Sequence, residues 1–281
     1  MFYTEHQPCP ELAQEIECVW FVVDRDRCSV RAPERVLPDG CLEWIFHLGT
    51  PFQYCQADGR WKTQATSFFV GELTRFLLLQ PSETIATMGV RFRPASAYRF
   101  LPLSLHVLSD DSVSTQDIWG AEGRELEERV LSADCDEQRK SLVESFLIRS
   151  REKSQLRPRV EVAVNEILRS RGQLRVEQLA EKVGWSRRQI EREFRSGVGV
   201  SPKVLARIIR FQNLLRLVGE SELREWADVA LAVGYADQPH MVREFREFSG
   251  QSPTAGTAEF GDLSRHFVNP HRLALMLGKD G

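Results

Sequence analysis

Between residues 16 and 92 the chain alternates apolar bursts with turn-forming stretches. "IECVWFVV", "CLEWIFHLG", "SFFVGEL", "RFLLLQP" and "IATMGVRF" are runs of strand length, punctuated by segments such as "LPDG" and "QADGR", a combination that predicts β-strands. The run from Cys41 shows a two-residue period: Leu42, Trp44, Phe46 and Leu48 fall on one strand face, Glu43, Ile45 and His47 on the other. "LPDG" reads as a turn between strands rather than a ligand loop. The period then lengthens. Over 121–131 the apolar stripe is Leu126, Val130 and Leu131, and over 136–151 it is Leu142, Val143, Phe146 and Leu147, the spacing of two amphipathic helices. Each stripe must be covered, either by the chain's own β-domain or by a second copy in a homodimer. In "RSREKSQLRP", residues 149–158, charge rises and apolar residues thin out before Pro158, which marks a domain boundary. The fold expected is two-domain α+β, with a β-rich, sandwich or barrel-like N-terminal domain over residues 1–150 and an all-α remainder.

Beyond the boundary one pattern is written twice. "REFR" begins at Arg192 and again at Arg243, followed by "GVSP" at 199–202 and "GQSP" at 250–253, so both features recur after 51 residues. In the first copy "VEQLAEKVG" is a short amphipathic helix, Gly184 supplies the left-handed residue of a tight turn, and Ser186 caps the helix "RRQIEREFRS". In the second, "WADVALAVG" ends at Gly234, Asp237 is the cap, and Pro239 falls in the first turn of "QPHMVREFREFSG", where proline is tolerated. Ala180 and Ala230, each four residues before the turn glycine, leave room for close helix packing. The second turn carries one extra residue: Gly184 to Phe194 is ten residues and Gly234 to Phe245 eleven. Both copies read helix, turn, helix. Ile190 and Phe194, like Met241, Phe245 and Phe248, point to a core, whereas Arg187, Arg188, Glu191, Arg192 and Arg195 share the opposite face. The segment between the copies, "SPKVLARIIRFQNLLRLV", is one amphipathic helix of 18 residues, about 27 Å long.

Charge sharpens this division. The net charge of −3 hides 15 Lys and Arg against 23 Asp and Glu in residues 1–150, a net of −8, and 19 against 14 in residues 151–256, a net of +5; the last 25 residues are neutral. An acidic domain joined to a basic one suggests a polyanion-binding module. The six cysteines, Cys9, Cys18, Cys28, Cys41, Cys55 and Cys135, stand at no metal-ligand spacing and read as reduced thiols. His6, His47 and His106 fall at no metal-binding spacing either, so neither metal nor cofactor is expected. No apolar run reaches the ~18 residues of a membrane span, and the first residues lack the basic end and apolar stretch of a secretory signal. The expectation is a cytoplasmic protein.

At "GYADQPHMVREFREFSGQSP" and its upstream copy the sequence resembles the AraC/XylS family of bacterial transcriptional regulators. The resemblance covers residues 157–256 and implies a DNA-binding domain of two helix-turn-helix units joined by a long helix, leaving residues 257–281 as a tail. It implies double-stranded DNA as partner, RNA polymerase contact as the usual mode of activation, and no enzymatic activity. The base-contacting positions it implies are Arg188, Glu191 and Arg192 in the first unit, and Gln238, Pro239, His240, Val242 and Arg243 in the second. With Arg187, Arg195 and Arg246 on the same helices, Arg187, Arg188, Glu191, Arg192, Arg195, Gln238, His240, Arg243 and Arg246 form the expected DNA-contact set. Glu191 has two readings, an acceptor from cytosine or a partner of Arg187 or Arg195. "RVLPDGCLEWIFHLG" and "MGVRFRPASAYRFLPLSLHVLSD" are similar to the sensor module of a subgroup of these regulators, a resemblance that names a domain and no effector; a small-molecule effector is expected because an acidic β-rich domain of a size able to enclose a pocket is joined to a basic DNA-binding one. Arg91 and Arg93, placed on one strand face, and Trp44 are the candidate effector residues. The rival reading makes the N-terminal domain an enzyme, a thiol alkyl acceptor or a cupin-like protein, attached to the same DNA-binding domain.

Overall fold

The structure is a computed structural model that describes residues 1–24, 32–151, 157–220 and 225–253. Cys28, the tail 257–281 and residues 152–156 of the boundary segment 149–158 lie outside the described residues. The strands are β1 (Phe2–His6), β2 (Ile16–Asp24), β3 (Glu34–Val36), β4 (Glu43–His47), β5 (Gln53–Cys55), β6 (Trp61–Thr63), β7 (Ser67–Val70), β8 (Leu77–Gln80), β9 (Ile85–Phe92) and β10 (Ser112–Ser114). They form two antiparallel sheets, one ordered β1-β2-β9-β4-β7-β10 and the other β3-β8-β5-β6. Among the described residues the sheets do not close into a barrel. The "LPDG" segment does lie between two strands, β3 and β4.

The alternation in β4 has a direct physical meaning, because its sheet is covered on both faces. Trp44 and Phe46 face a core built with Phe69, Val90 and Phe92. Ile45 faces the other layer, where Trp20 and Val22 meet Leu79 of the smaller sheet and Phe52 just before β5. A strand covered on both sides buries even its polar positions, and Glu43 and His47 are accordingly buried.

Three helices follow, α1 (Thr115–Trp119), α2 (Ala121–Ser132) and α3 (Asp136–Arg151). Leu126, Val130, Val143, Phe146 and Leu147 enter the same core as Trp44, so the stripes seen in the sequence are covered by the chain's own sheet rather than by a second copy. Leu131 is the exception, left exposed on α2.

The helical part comprises α4 (Pro158–Arg169), α5 (Val176–Val183), α6 (Arg187–Gly197), α7 (Pro202–Glu220), α8 (Trp226–Ala232) and α9 (Gln238–Ser249). α5 and α6 form one helix-turn-helix unit and α8 and α9 another, with α7 packed against both. Each unit has its own core: Ile190 and Phe194 lie in one with Val160, Ile167 and Leu205, and Met241, Phe245 and Phe248 in another with Phe211 and Leu214.

The β-rich part is seated on both units. At the first, the Ser109 hydroxyl donates to the Gly199 carbonyl at 2.7 Å, the Tyr98 hydroxyl to Glu161 of α4 at 2.5 Å, and Arg99 bridges Glu15 at 2.6 Å to Glu161 at 2.7 Å. At the second, Leu37 enters the core of α7 and α9, and Gln212 Nε2 donates to the Pro38 carbonyl at 2.5 Å. Gly40 sits at φ +83° with Ile209 3.3 Å from where a Cβ would be. Glycine is needed there for its left-handed backbone and for the close approach.

Candidate nucleic-acid interface

The local chemistry that builds the second helix of each unit, α6 and α9, is the chemistry of its N-terminus. The Ser186 hydroxyl accepts from the Gln189 backbone N–H at 3.3 Å, while the Gln189 side chain accepts from the Ser186 N–H at 2.9 Å, a reciprocal capping box on α6. Asp237 accepts from the His240 N–H at 2.7 Å on α9. Gly184 and Gly234 take φ +66° and +85° at the preceding turns. The capped ends leave the first-turn side chains in solvent.

On α6, Arg187, Arg188, Arg192 and Arg195 are exposed and Glu191 half-buried. Arg187 reaches Glu177 of α5 at 3.5 Å, and Arg192 lies 2.9 Å from Glu193. Glu191 therefore does not take up Arg187, and Glu193, which the sequence pattern did not single out, is the acid that meets Arg192. Glu193 also receives Arg157 at 3.3 Å, tying α6 to the start of α4. On α9, Gln238, Pro239, Arg243 and Arg246 are exposed, with His240 and Val242 half-buried. The His240 ring stands edge-on to Tyr235, 5.4 Å between centroids, and 3.9 Å from Glu244.

Glu244 is a residue that periodicity could not rank. It is charged, yet only 4% exposed, and it gathers Arg207 at 2.8 Å and Arg210 at 3.5 Å from α7. Arg210 also lies over the Tyr235 ring at 4.8 Å, and burial, then Glu244, push the Tyr235 phenol up, keeping it neutral. One buried carboxylate thus ties α9 to the linker helix α7, beside the apolar core that the two helices share.

The three residues expected at an effector site do not come together. Trp44 is fully buried among Phe46, Phe69, Trp119 and Phe146, its indole N–H donating to Thr115 at 2.8 Å, and it lines no described cavity. Arg93 lies beyond the end of β9, where its Nε donates to the Ala13 carbonyl at 3.2 Å; it borders a polar cleft with Arg99, Glu15 and Glu161. Arg91 alone borders a cavity of about 60 Å³ among residues of both sheets. There it is 2.7 Å from Asp39 and 2.6 Å from Glu43. Burial opposes the charge on Arg91, but Glu43 and Asp39 hold its pKa up.

A β-rich domain clasping two capped helix-turn-helix units, whose second helices offer exposed arginines, defines a DNA-binding regulator. Residues 179–257 match the family described as a helix-turn-helix domain, and residues 4–114 one described as a domain of unknown function, DUF6597. The chain carries an AraC/XylS-type helix-turn-helix domain, the DNA-binding part of a transcription regulator. No curated protein matches the chain. Among solved structures it is similar to ToxT from Vibrio cholerae, at 14% identity over 84% of this chain and 97% of that one, with a TM-score of 0.47. ToxT bound to an unsaturated fatty acid shows 15% identity over 84% and 94%, with a TM-score of 0.44. The C-terminal domain of AraT, a response regulator from Geobacillus stearothermophilus, shows 28% identity over 39% of this chain and 95% of that one, with a TM-score of 0.34.

Among the described residues no helix is long and apolar enough to cross a membrane, and no group of three or more His, Cys, Asp or Glu could hold a metal ion. Burial pushes the thiols of Cys9 and Cys41 up, away from the thiolate that an alkyl-accepting cysteine requires.

Proposed function

We propose that the chain regulates transcription by reading two successive major-groove segments of duplex DNA, with residues 157–256 as the DNA-binding domain and residues 1–150 as an effector-controlled regulatory domain. The observation that carries the reading is the pair of capped helices, α6 and α9, with long basic side chains in solvent and a single helix, α7, joining them. Arg188, Glu191 and Arg192 read bases in the first segment, and Gln238, His240 and Arg243 in the second; arginine pairs bidentately with guanine O6 and N7. Arg187, Arg195 and Arg246 hold the phosphates. Pro239 offers no hydrogen-bond donor, so readout by the second unit rests on its neighbours.

With 19 residues, α7 spans about 28 Å, short of the ~34 Å of one helical turn of DNA. Tilting of the units or bending of the DNA supplies the remainder. On a promoter in the cytoplasm, such a chain acts through contact with RNA polymerase. Selection of bound sequences from random DNA, followed by footprinting of the recovered site, tests the reading. Two protected segments on one face, about one turn apart, are expected from one protein chain. Protection of a single groove segment, or no enriched sequence, refutes it.

A further inference from the structure

The cavity beside Arg91 has an unusual polar end. Its walls are apolar side chains of both sheets, among them Ile45, Phe68, Leu77 and Leu79, yet Asp39, Glu43 and Arg91 meet at its margin. A buried ion cluster adds little to stability over well-packed apolar residues. An apolar hollow with a few converging polar groups is instead the ordinary make-up of a small-molecule site.

The balance of charge in this cluster selects the occupant. Two carboxylates face one guanidinium, whose Nη1 and Nη2 lie 2.7 Å from Asp39 and 2.6 Å from Glu43 respectively. The nearby Glu72 is also buried, with an Oε2 that has no hydrogen-bond partner. Its carboxyl is pushed well up, first by burial and then by Asp39, against the opposing pull of Arg91. An anion entering here must displace a carboxylate from Arg91, whereas a cation neutralises the excess. The volume of about 60 Å³, set against the ~10–15 Å³ that one water needs on the same measure, suits roughly four or five heavy atoms.

The same wall faces the DNA-binding part. Leu37 lines the cavity and also enters the core formed by Ile208, Phe211 and Phe248. Asp39, bound to Arg91, lies between Pro38, gripped by Gln212, and Gly40, packed against Ile209. At the start of β8, Leu77 lines the cavity while its neighbour Phe76 lies against Gly250 at the end of α9. The first unit is met by other segments, at Tyr98, Arg99 and Ser109.

We propose that this cavity is the effector site, that it takes a small organic monocation with a short apolar arm, and that its occupancy is relayed through residues 37–40 and 76–77 to α7 and the second helix-turn-helix unit. This rests on the effector-controlled reading above and assigns that effector a place, a chemical class and a route. A ligand shifts the regulator only by binding its two states unequally, and couplings of this kind typically change affinity about 5- to 150-fold.

The test uses the full chain and n-butylammonium, 1-butanol and butyrate at matched ionic strength, with tetrabutylammonium as a cation too large to enter. Calorimetry should show n-butylammonium binding at least about fivefold more tightly than the alcohol, the carboxylate or the bulky cation. Val70→Phe, which fills the cavity, should abolish that binding while the variant still binds DNA. Asp39→Asn should erase the preference for the cation, and this second variant decides the matter if Val70→Phe fails to fold. Saturating n-butylammonium should change affinity for the selected DNA about fivefold or more, an effect lost when the second unit's segment of the DNA is scrambled. Preference for butyrate, binding that survives Val70→Phe, or a response unaffected by scrambling that segment overturns the proposal. A different stabilising ligand bound outside the cavity also overturns it, but leaves the effector-controlled reading standing; the footprint without any probe tests DNA binding separately.

Discussion

Glu244 offers the clearest test of how the fold positions the second helix of a helix-turn-helix unit. Its carboxylate is 4% exposed and faces Arg207 and Arg210 of α7 at 2.8 and 3.5 Å. Breaking a fully buried ion pair by removing one partner costs about 3–5 kcal/mol, because the remaining charge is sealed from water. Here the arginines are less confined: their side chains are 22% and 16% exposed, and Arg207 keeps Glu247 at 2.5 Å. Glu244→Ala should therefore cost about 2–3 kcal/mol. Glu244→Gln, which preserves shape and one acceptor, should cost about half as much. Urea unfolding of the full chain measures the loss, and footprinting shows where it acts. In Glu244→Ala the second protected segment should weaken while the first persists, because α9 loses its buried ion-pair tie to α7 and keeps only the apolar core, whereas α6 loses nothing. If Glu244→Ala unfolds within about 0.5 kcal/mol of the parent, the range of an ordinary surface substitution, or if both segments weaken equally, the anchoring argument fails.

Arg188→Ala and Arg192→Ala should each cost about 1–3 kcal/mol of DNA binding and relax preference at particular bases, whereas Arg195→Ala should weaken all sequences alike and reduce the salt slope by about one, as seen in titrations over a range of salt. Gly40→Ala should destabilise the chain by about 1–2 kcal/mol for the left-handed backbone alone, and by more where the added Cβ meets Ile209. Gly59→Ala, at φ +82° in open space, isolates the backbone cost, so equal urea midpoints for the two variants would exclude a tight seam at Gly40. Burial lowers the His47 pKa from 6.5 to about 4, so the unfolded chain takes up its proton first as pH falls. The resulting stability is complete above pH 6.5 and disappears on descent to about 4, roughly 3 kcal/mol in all. Stability curves for His47→Gln should be flatter than the parent's by that amount across the window, and superimposable curves would refute the assignment.

The repeat was legible in the sequence because a helix-turn-helix is specified locally. A turn glycine, a capping side chain three residues before the donor it satisfies, and a 3.6-residue apolar stripe are all short-range, so Gly184, Ser186, Asp237 and Phe245 could be placed by spacing alone. The five apolar bursts became β2, β4, β7, β8 and β9 for the same reason. Strands as short as β3, β5, β6 and β10 carry too few residues to show a period, and α4 was masked by the charged boundary before it. Tertiary structure decided what no local pattern encodes. It buried both faces of β4, so that Trp44 became core and Glu43 an ion-pair partner. It separated Arg91 from Arg93 at the end of a strand, and brought Asp39 from a turn to Arg91. It also turned Glu244 inward on a helix whose other charges face water. Burial and charge pairing depend on which distant surfaces meet, and the seam joining "LPDG" to the linker helix brings together residues about 170 positions apart. The sequence determined the two helix-turn-helix units; the packing of distant segments on them decided how they are held.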